Sequence, residues 1–200
     1  MKTLAHDLSK YASGLEPRDL PEDVVRQTKR LIIDTIGCAL GGYTSEPSKI
    51  ARDLASSFGV GRERATLIGN GQAANPDMAA FVNGVMIRYL DYNDGYTSTV
   101  SGHPSDNIAA VLAAAEAAGA DGARVIAATV LAYEMYCRFS DAADIHPFDH
   151  STLDCIASSL ASAYLFGLPP ERAADAVNLA ITPHIALHQP RIDVLSHWKA

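Results

Sequence analysis

Acidic, tyrosine and histidine side chains gather in one short part of the chain, between two segments with helical periodicity. Asp91, Asp94 and Tyr96 follow an apolar segment that begins near Asn75, and His103 heads the sequence His-Pro-Ser-Asp before an alanine-rich segment. Loops held between rigid helices often carry catalytic groups. A histidine can move a proton to or from carbon or a leaving hydroxyl near neutral pH, and a neighbouring carboxylate can orient it. This segment is therefore a candidate site for proton transfer.

The same residues also fit a purely structural interpretation. Asp91 would then be a solvated acid at a helix C-terminus, Ser105 or Asp106 a helix N-cap, and His103 an incidental loop residue. An acid is unfavourable at a helix C-terminus, because the helix dipole is negative there. The cluster of acids favours a functional interpretation, but spacing alone leaves both open.

Other candidate residues lie further along the chain. His150 precedes Ser-Thr at the start of an apolar, small-residue segment, and His146 lies four residues earlier. Arg191 could bind a carboxylate through two hydrogen bonds or lie on the surface. His184 and His188 have the spacing of one helical face, but prolines bracket them and no glutamate follows the first histidine, so we predict no metal site.

Periodicity and capping signals predict a helical chain. The predicted helices cover residues 4–15, 21–40 (stopped by Gly41 and Gly42), 48–58, 75–90, 106–118, 121–139, 152–166 and 170–181, with one short extended segment at Ala65–Ile68. The sequence contains neither a glycine-rich nucleotide-binding motif nor a repeat of solenoid period. We therefore predict a single all-α domain over residues 1–200.

Composition and charge narrow the function classes. The chain is 48% hydrophobic with a net charge of −7, which argues against nucleic-acid and anionic-lipid partners but not against an anionic substrate. Cys38, Cys137 and Cys155 are far apart and odd in number, which indicates free thiols in a reducing compartment. The N-terminus lacks the apolar region of a signal peptide, and no apolar run is long enough to span a membrane. We expect a cytoplasmic protein without a membrane partner.

Three segments of the chain resemble the MmgE/PrpD family, in the family's order. They are RYLDYNDGY with the following HPSDNIAAVLAAAE, LPEDVVRQTKRLIIDTIGCALGGY at residues 20–43, and PHIALHQPRIDVLSHWKA at residues 183–200. The resemblance implies a large helical N-terminal domain. It also implies a smaller α+β domain that follows in the family and is not included in residues 1–200.

The resemblance implies a lyase that acts on a small di- or tricarboxylate without a metal or other cofactor. The reaction class is proton abstraction next to a carboxylate, and dehydration, as in 2-methylcitrate dehydratase, is the first choice. Decarboxylation, as in cis-aconitate decarboxylase, and epimerisation, as in iminodisuccinate epimerase, are alternatives within the family. A non-catalytic helical subunit or interaction module is the alternative outside it. A homodimer is expected, formed through the apolar segments 121–139 and 152–166.

The resemblance also assigns site residues by position. It implies catalytic roles for Asp91, His103, His150 and Lys199, with His146 as a rival of His150, and substrate binding by Asp94, Tyr96, Thr97 and Arg191. We expect the side chains of Asp91, His103 and His150 to converge on one cavity. We expect little or no lyase activity from these residues alone, because basic groups near the motifs are few and the missing domain would supply part of the site's wall.

Overall fold

The structure, a computed structural model, describes residues 3–192, with side chains through residue 190. The elements in order are α1 (Leu4–Ser13), α2 (Glu22–Gly42), α3 (Glu46–Ser56), β1 (Ala65–Thr66), β2 (Ala73–Ala74), α4 (Pro76–Tyr89), α5 (Ile108–Ala118), α6 (Gly122–Ala142), α7 (Ser151–Leu165), α8 (Pro170–His184) and α9 (Gln189–Ile192). Short 3-10 turns occupy Pro17–Asp19 and Pro104–Asn107. The all-α prediction is confirmed, since the sheet found in residues 3–192 is one pair of two-residue antiparallel strands.

Local sequence explains where several helices begin. The side chains of Thr3, Ser45 and Asp121 each accept a hydrogen bond from a backbone N–H in the first turn of the helix that follows. These bonds satisfy donors that have no partner within the helix. Pro76 and Pro170 stand at the first positions of α4 and α8, where the missing N–H costs nothing.

The turn before α5 and the hairpin differ from the sequence-based predictions. The helix predicted from residue 106 starts at Ile108 after a 3-10 turn, and neither this turn nor α5 has a side-chain N-cap. The hydroxyl of Ser105 and the carboxylate of Asp106 bind Asn93 instead, so the N-cap interpretation of this turn is wrong. The extended segment that begins at Ala65 pairs with β2. The sequence analysis did not predict β2, because its two alanines carry no strand signal and lie between loop residues.

The core consists of two apolar clusters that share α5. Val111 and Ala115 of α5 belong to the cluster formed with α1, α6, α7 and α8, whereas Ala109 and Ala113 belong to the cluster formed with α2, α3, α4 and the hairpin. Small side chains allow helices to approach α5 from both sides. The apolar side chains of α6 and α7 are largely used within this core; Leu131, for example, is fully buried.

Backbone hydrogen bonds hold the loop between α4 and α5 in place. The backbones of Tyr96 and Gly102 exchange two hydrogen bonds of 2.8 and 3.0 Å, and the Val100 N–H donates to the Ser140 carbonyl of α6. The polar loop is thus fastened to α6, beside the start of α7. Among residues 3–192, no helix combines the length and apolarity needed to cross a bilayer.

Candidate active site

Asp91 turns the chain at the end of α4 and faces both a cation and a histidine. Its backbone lies in the left-handed region, with φ of 51°, which non-glycine residues adopt infrequently. Its Oδ1 atom accepts a hydrogen bond of 2.9 Å from Arg88 Nη1 and lies 3.7 Å from His103 Nε2. The unfavourable placement of an acid at a helix C-terminus is thereby offset by Arg88.

Arg88 links the end of α4 to the His-Pro-Ser-Asp turn. The residue is 8% exposed, and its Nη1 also donates to Asn93 Oδ1 at 2.8 Å, while its Nε lies 3.4 Å from Asp106 Oδ2. Asn93 Nδ2 in turn donates to Ser105 Oγ and Asp106 Oδ1, each at 2.8 Å. These buried, charge-assisted hydrogen bonds fix the loop's two ends relative to each other.

His103 is oriented by the backbone of Asp94. The Asp94 carbonyl oxygen lies 2.6 Å from His103 Nδ1, and a carbonyl can only accept, so Nδ1 carries the proton. In the neutral imidazole, Nε2 then has a free electron pair and faces Asp91. The Asp94 carboxylate is itself held, since it accepts from the Ser105 N–H at 3.0 Å and from the Tyr133 hydroxyl at 2.7 Å.

His150 packs against His103 from the start of α7. The two ring centroids are 5.6 Å apart at an interplanar angle of 65°. His150 is buried, with Nδ1 3.2 Å from the Tyr136 hydroxyl and Nε2 3.8 Å from Asp149 Oδ1. The structure thus brings together the three residues that were expected to converge. The rival His146 is exposed, on the loop that leads to α7.

The structure adds two largely buried acids that the sequence analysis did not select as site residues, Asp106 and Asp154. Burial raises the pKa of Asp106 to about 6, although Arg88, His103 and Asn93 favour its charged form. Burial also raises the pKa of Asp154 well above its usual range, and neighbouring Asp106 adds to the effect, while Asn107 Nδ2 donates to its Oδ1 at 2.7 Å. Asp154 could have been found by its spacing, because it lies four residues after His150 and thus on the same helical face.

Asp106, His150 and Asp154 form a set of donors close enough to hold a metal, with one ligand atom from each within 4.8 Å of the others. Their oxygen atoms already accept hydrogen bonds from Asn93 and Asn107. Burial favours protonated acids here, whereas a metal requires ionised ligands. These side chains therefore fit a proton-handling cluster better than a metal centre, and the expectation of a site without metal or cofactor stays a prediction.

The remaining candidates differ in how the structure places them. The Tyr96 hydroxyl donates to Asp141 Oδ1 at 2.9 Å, at the end of α6, and Thr97 is exposed. The side chain of Arg191 and the whole of Lys199 lie outside the described residues. Roles for these four residues stay predictions, as do those of the central histidines and acids.

Comparisons with known proteins identify the family. A sequence model described as the MmgE/PrpD N-terminal domain matches residues 6–200. The chain therefore belongs to the MmgE/PrpD family. It is 30% identical over 166 residues to an alkylcitrate dehydratase of a fungus (strain ATCC 74256), with 74% of this chain and 32% of that protein covered.

Two further relatives carry a related name. The 2-methylcitrate dehydratase of Salmonella typhimurium is 29% identical over 185 residues, which cover 84% of this chain and 38% of the relative. A probable 2-methylcitrate dehydratase of Saccharomyces cerevisiae is 26% identical over 215 aligned positions, covering 97% of this chain and 41% of the relative. The chain thus spans about a third to two fifths of the length of these relatives.

Proposed function

We propose that this chain supplies the helical part of the active site of a dehydratase-like lyase that acts on a small di- or tricarboxylate. The observation that carries the proposal is the pair of histidines, with ring centroids 5.6 Å apart and with Asp91 beside the Nε2 atom of His103. Two imidazoles at one point suit a reaction that removes a proton and supplies another. Relatives named as alkylcitrate and 2-methylcitrate dehydratases support the substrate class and the reaction type.

His103 is the proposed base. Its Nδ1 proton is directed to the Asp94 carbonyl, which leaves the Nε2 electron pair to accept a proton from the carbon next to a substrate carboxylate. Asp91 Oδ1, 3.7 Å from Nε2, stabilises the imidazolium that forms. The electron pair of the broken C–H bond then becomes the new C=C bond as the C–O bond breaks.

His150 is the proposed acid. Hydroxide leaves poorly unless it receives a proton, and His150 lies against His103 where it can supply one, so the departing group is water. The same pair could return the proton to the other face of the carbon, as an epimerase does. Loss of CO2 would leave the electron pair of the broken C–C bond on carbon, and a proton supplied by His150 to that carbon would complete a decarboxylation. Dehydration is preferred because the relatives' names specify dehydratases.

The proposed reaction builds negative charge next to the substrate carboxylate, and cations must stabilise it. Lys199 and Arg191 are proposed for this task. We further propose that an α+β domain, of the kind that completes other family members, closes the site, and that residues 1–200 alone turn over substrate weakly or not at all. Removal of one fixed donor of this kind costs on the order of 10²–10³ in rate.

The proposed roles are tested on the complete polypeptide with 2-methylcitrate as substrate. We expect His103→Ala and His150→Ala each to lower kcat by about 10²–10⁴, because each removes a proton-transfer group. His146→Ala is the matched control, since this exposed histidine lies four residues from His150, and its turnover should equal that of the wild type. Retained turnover in His103→Ala, with unchanged far-UV circular dichroism, would refute the assignment. Release of CO2 or change of configuration without dehydration would favour the alternative activities.

A homodimer and a cytoplasmic location are also proposed. Cys38, Cys137 and Cys155 are free thiols, which suits a reducing compartment. The apolar residues of α6 and α7 that suggested self-association lie largely in the core, so the surface for a second copy is better sought among exposed apolar side chains such as Ile33 of α2 and Leu179 of α8. Light scattering at micromolar concentration tests the dimer, and a monomeric mass would exclude it.

A further inference from the structure

Two tyrosines on one face of α6 have hydroxyl groups that contact His150 and the residue that binds His103. Tyr133 and Tyr136 are three residues apart, a spacing that makes them neighbours on a helix surface. The Tyr136 hydroxyl lies 3.2 Å from His150 Nδ1, and the Tyr133 hydroxyl donates at 2.7 Å to the carboxylate of Asp94, whose carbonyl binds His103. One face of α6 thus contacts His150 directly and His103 through Asp94.

The Tyr136 contact occurs in a closely packed, buried position. Tyr136 is fully buried, and Gly102 covers the contact so closely that a Cβ atom at this glycine would meet the Tyr136 hydroxyl and would lie 2.6 Å from His150 Nδ1. Little room is left for the phenol or the imidazole to rotate. The hydrogen bond between them is therefore held by packing on several sides.

The direction of the hydrogen bond follows from the groups around the imidazole. Asp149 Oδ1, an acceptor, lies 3.8 Å from His150 Nε2 and favours the ring proton on that nitrogen. Nδ1 is then unprotonated and accepts the hydroxyl proton of Tyr136 in the 3.2 Å hydrogen bond. Burial raises the pKa of Tyr136, so the phenol keeps this proton. With Nδ1 as acceptor, the neutral imidazole of His150 carries its proton on Nε2.

We propose that Tyr136 is a positioning residue that fixes His150 with its proton on Nε2, the tautomer opposite to that of His103. His103 presents a free electron pair at Nε2, and His150 presents an N–H at Nε2. Before any substrate binds, the two imidazoles thus present one proton acceptor and one N–H donor at Nε2. The catalytic meaning of this arrangement rests on the proposed function, whereas the tautomers themselves do not.

The tautomers are measured directly by long-range ¹H–¹⁵N NMR of the 200-residue chain, because protonated and unprotonated ring nitrogens differ strongly in ¹⁵N shift. In the wild type we expect the proton of neutral His103 on Nδ1 and that of neutral His150 on Nε2. In Tyr136→Phe, His150 should lose its single tautomer while His103 keeps its own. Tyr133→Phe is the matched variant on the same helix face, and it should leave His150 unchanged.

Tyr11→Phe, at an exposed tyrosine of α1, controls for the loss of a hydroxyl elsewhere and should alter neither histidine. The proposal is overturned if His150 carries its proton on Nδ1 in the wild type, or if Tyr136→Phe leaves the His150 tautomer unchanged. If Tyr136→Phe prevents folding, the wild-type assignment still decides the matter.

A second readout links the tautomer to the proposed reaction. In the complete polypeptide, Tyr136→Phe should lower kcat about tenfold, the value of one ordinary hydrogen bond, with KM little changed. Altered tautomers without any effect on turnover would refute the proposed catalytic role of His150 and leave the tautomer assignment standing. Altered KM with unaltered tautomers would indicate a merely structural role for Tyr136.

Discussion

Arg88→Met removes the buried cation that joins the end of α4 to the His-Pro-Ser-Asp turn. The guanidinium is 8% exposed, donates to Asn93 at 2.8 Å and lies 3.4 Å from the carboxylate of Asp106. Removal of one partner from a fully buried pair costs about 3–5 kcal/mol, because the other charge remains buried. We expect the lower end, about 3 kcal/mol at pH 7.5, because the second acid, Asp91, is half-exposed and can be solvated.

The loss of stability in Arg88→Met should depend on pH, because Arg88 affects the ionisation of Asp106. Its pKa is raised in the folded state to about 6, so ionisation of this group destabilises the fold, and stability rises as the pH falls through that value. Arg88 favours the ionised form, and its removal raises the pKa of Asp106 further. At about pH 5 the variant's Asp106 is protonated, and the loss should shrink to about 1 kcal/mol, the value of the hydrogen bond to Asn93.

Thermal unfolding at the two pH values measures this difference. A loss of about 3 kcal/mol corresponds to a fall in Tm of roughly 6–12 °C for a chain of this size. Arg138→Met is the control, because Arg138 is 73% exposed and its ion pair with Glu134 should contribute nothing measurable. An equal loss at both pH values, or a loss no larger than the control's, would refute the role given to the buried pair.

Two further substitutions test the packing around the site. Gly102→Ala should lower the free energy of unfolding by about 1–3 kcal/mol, because the added methyl group would overlap the Tyr136 hydroxyl and the His150 ring; urea unfolding measures this, and a neutral result would contradict the close packing. Asn83→Ala should cost about 2 kcal/mol in the same assay, because Asn83 accepts from the Ile68 N–H and donates to the Thr66 carbonyl, joining α4 to the hairpin. Asn70→Ala is its control: Asn70 is exposed in that hairpin's loop, where water can replace its hydrogen bond from the Gln72 N–H, so the cost should be well below that of Asn83→Ala.

The helices could be predicted because their signals are local. Asp121 caps α6 with a hydrogen bond to the Arg124 N–H, and Pro76 and Pro170 mark the first turns of α4 and α8. The 3-10 turn before α5 could not be predicted, because its polar side chains are equally suitable as a helix N-cap. Contacts with Asn93, twelve or more residues earlier in the chain, decide the matter.

The sequence predicted only those residues of the candidate site whose side chains are typical of catalytic groups. His103, His150 and Asp91 were selected by the family resemblance together with their positions at helix ends, and the structure brings them together. Tyr133 and Tyr136 did not, because aromatic residues on an apolar helix are typical of a core. Their importance depends on which atoms their hydroxyl groups contact. Tyr136 contacts His150, 14 positions away, and Tyr133 contacts Asp94, 39 positions away.

The charge around the two histidines has a consequence for how a carboxylate could bind there. Among the described side chains, the acids at this point are Asp91, Asp94, Asp106, Asp149 and Asp154. Burial raises the pKa of Asp106 and Asp154, which lessens the negative charge, and Arg88 faces Asp91 and Asp106. Because Arg88 is already shared between two acids, the charge of a substrate carboxylate has to be balanced by other cations, for which Arg191 and Lys199 are the proposed residues. The described arrangement is therefore better prepared to move protons than to hold an anion, so binding of the proposed substrate should depend on basic residues beyond those whose side chains are described.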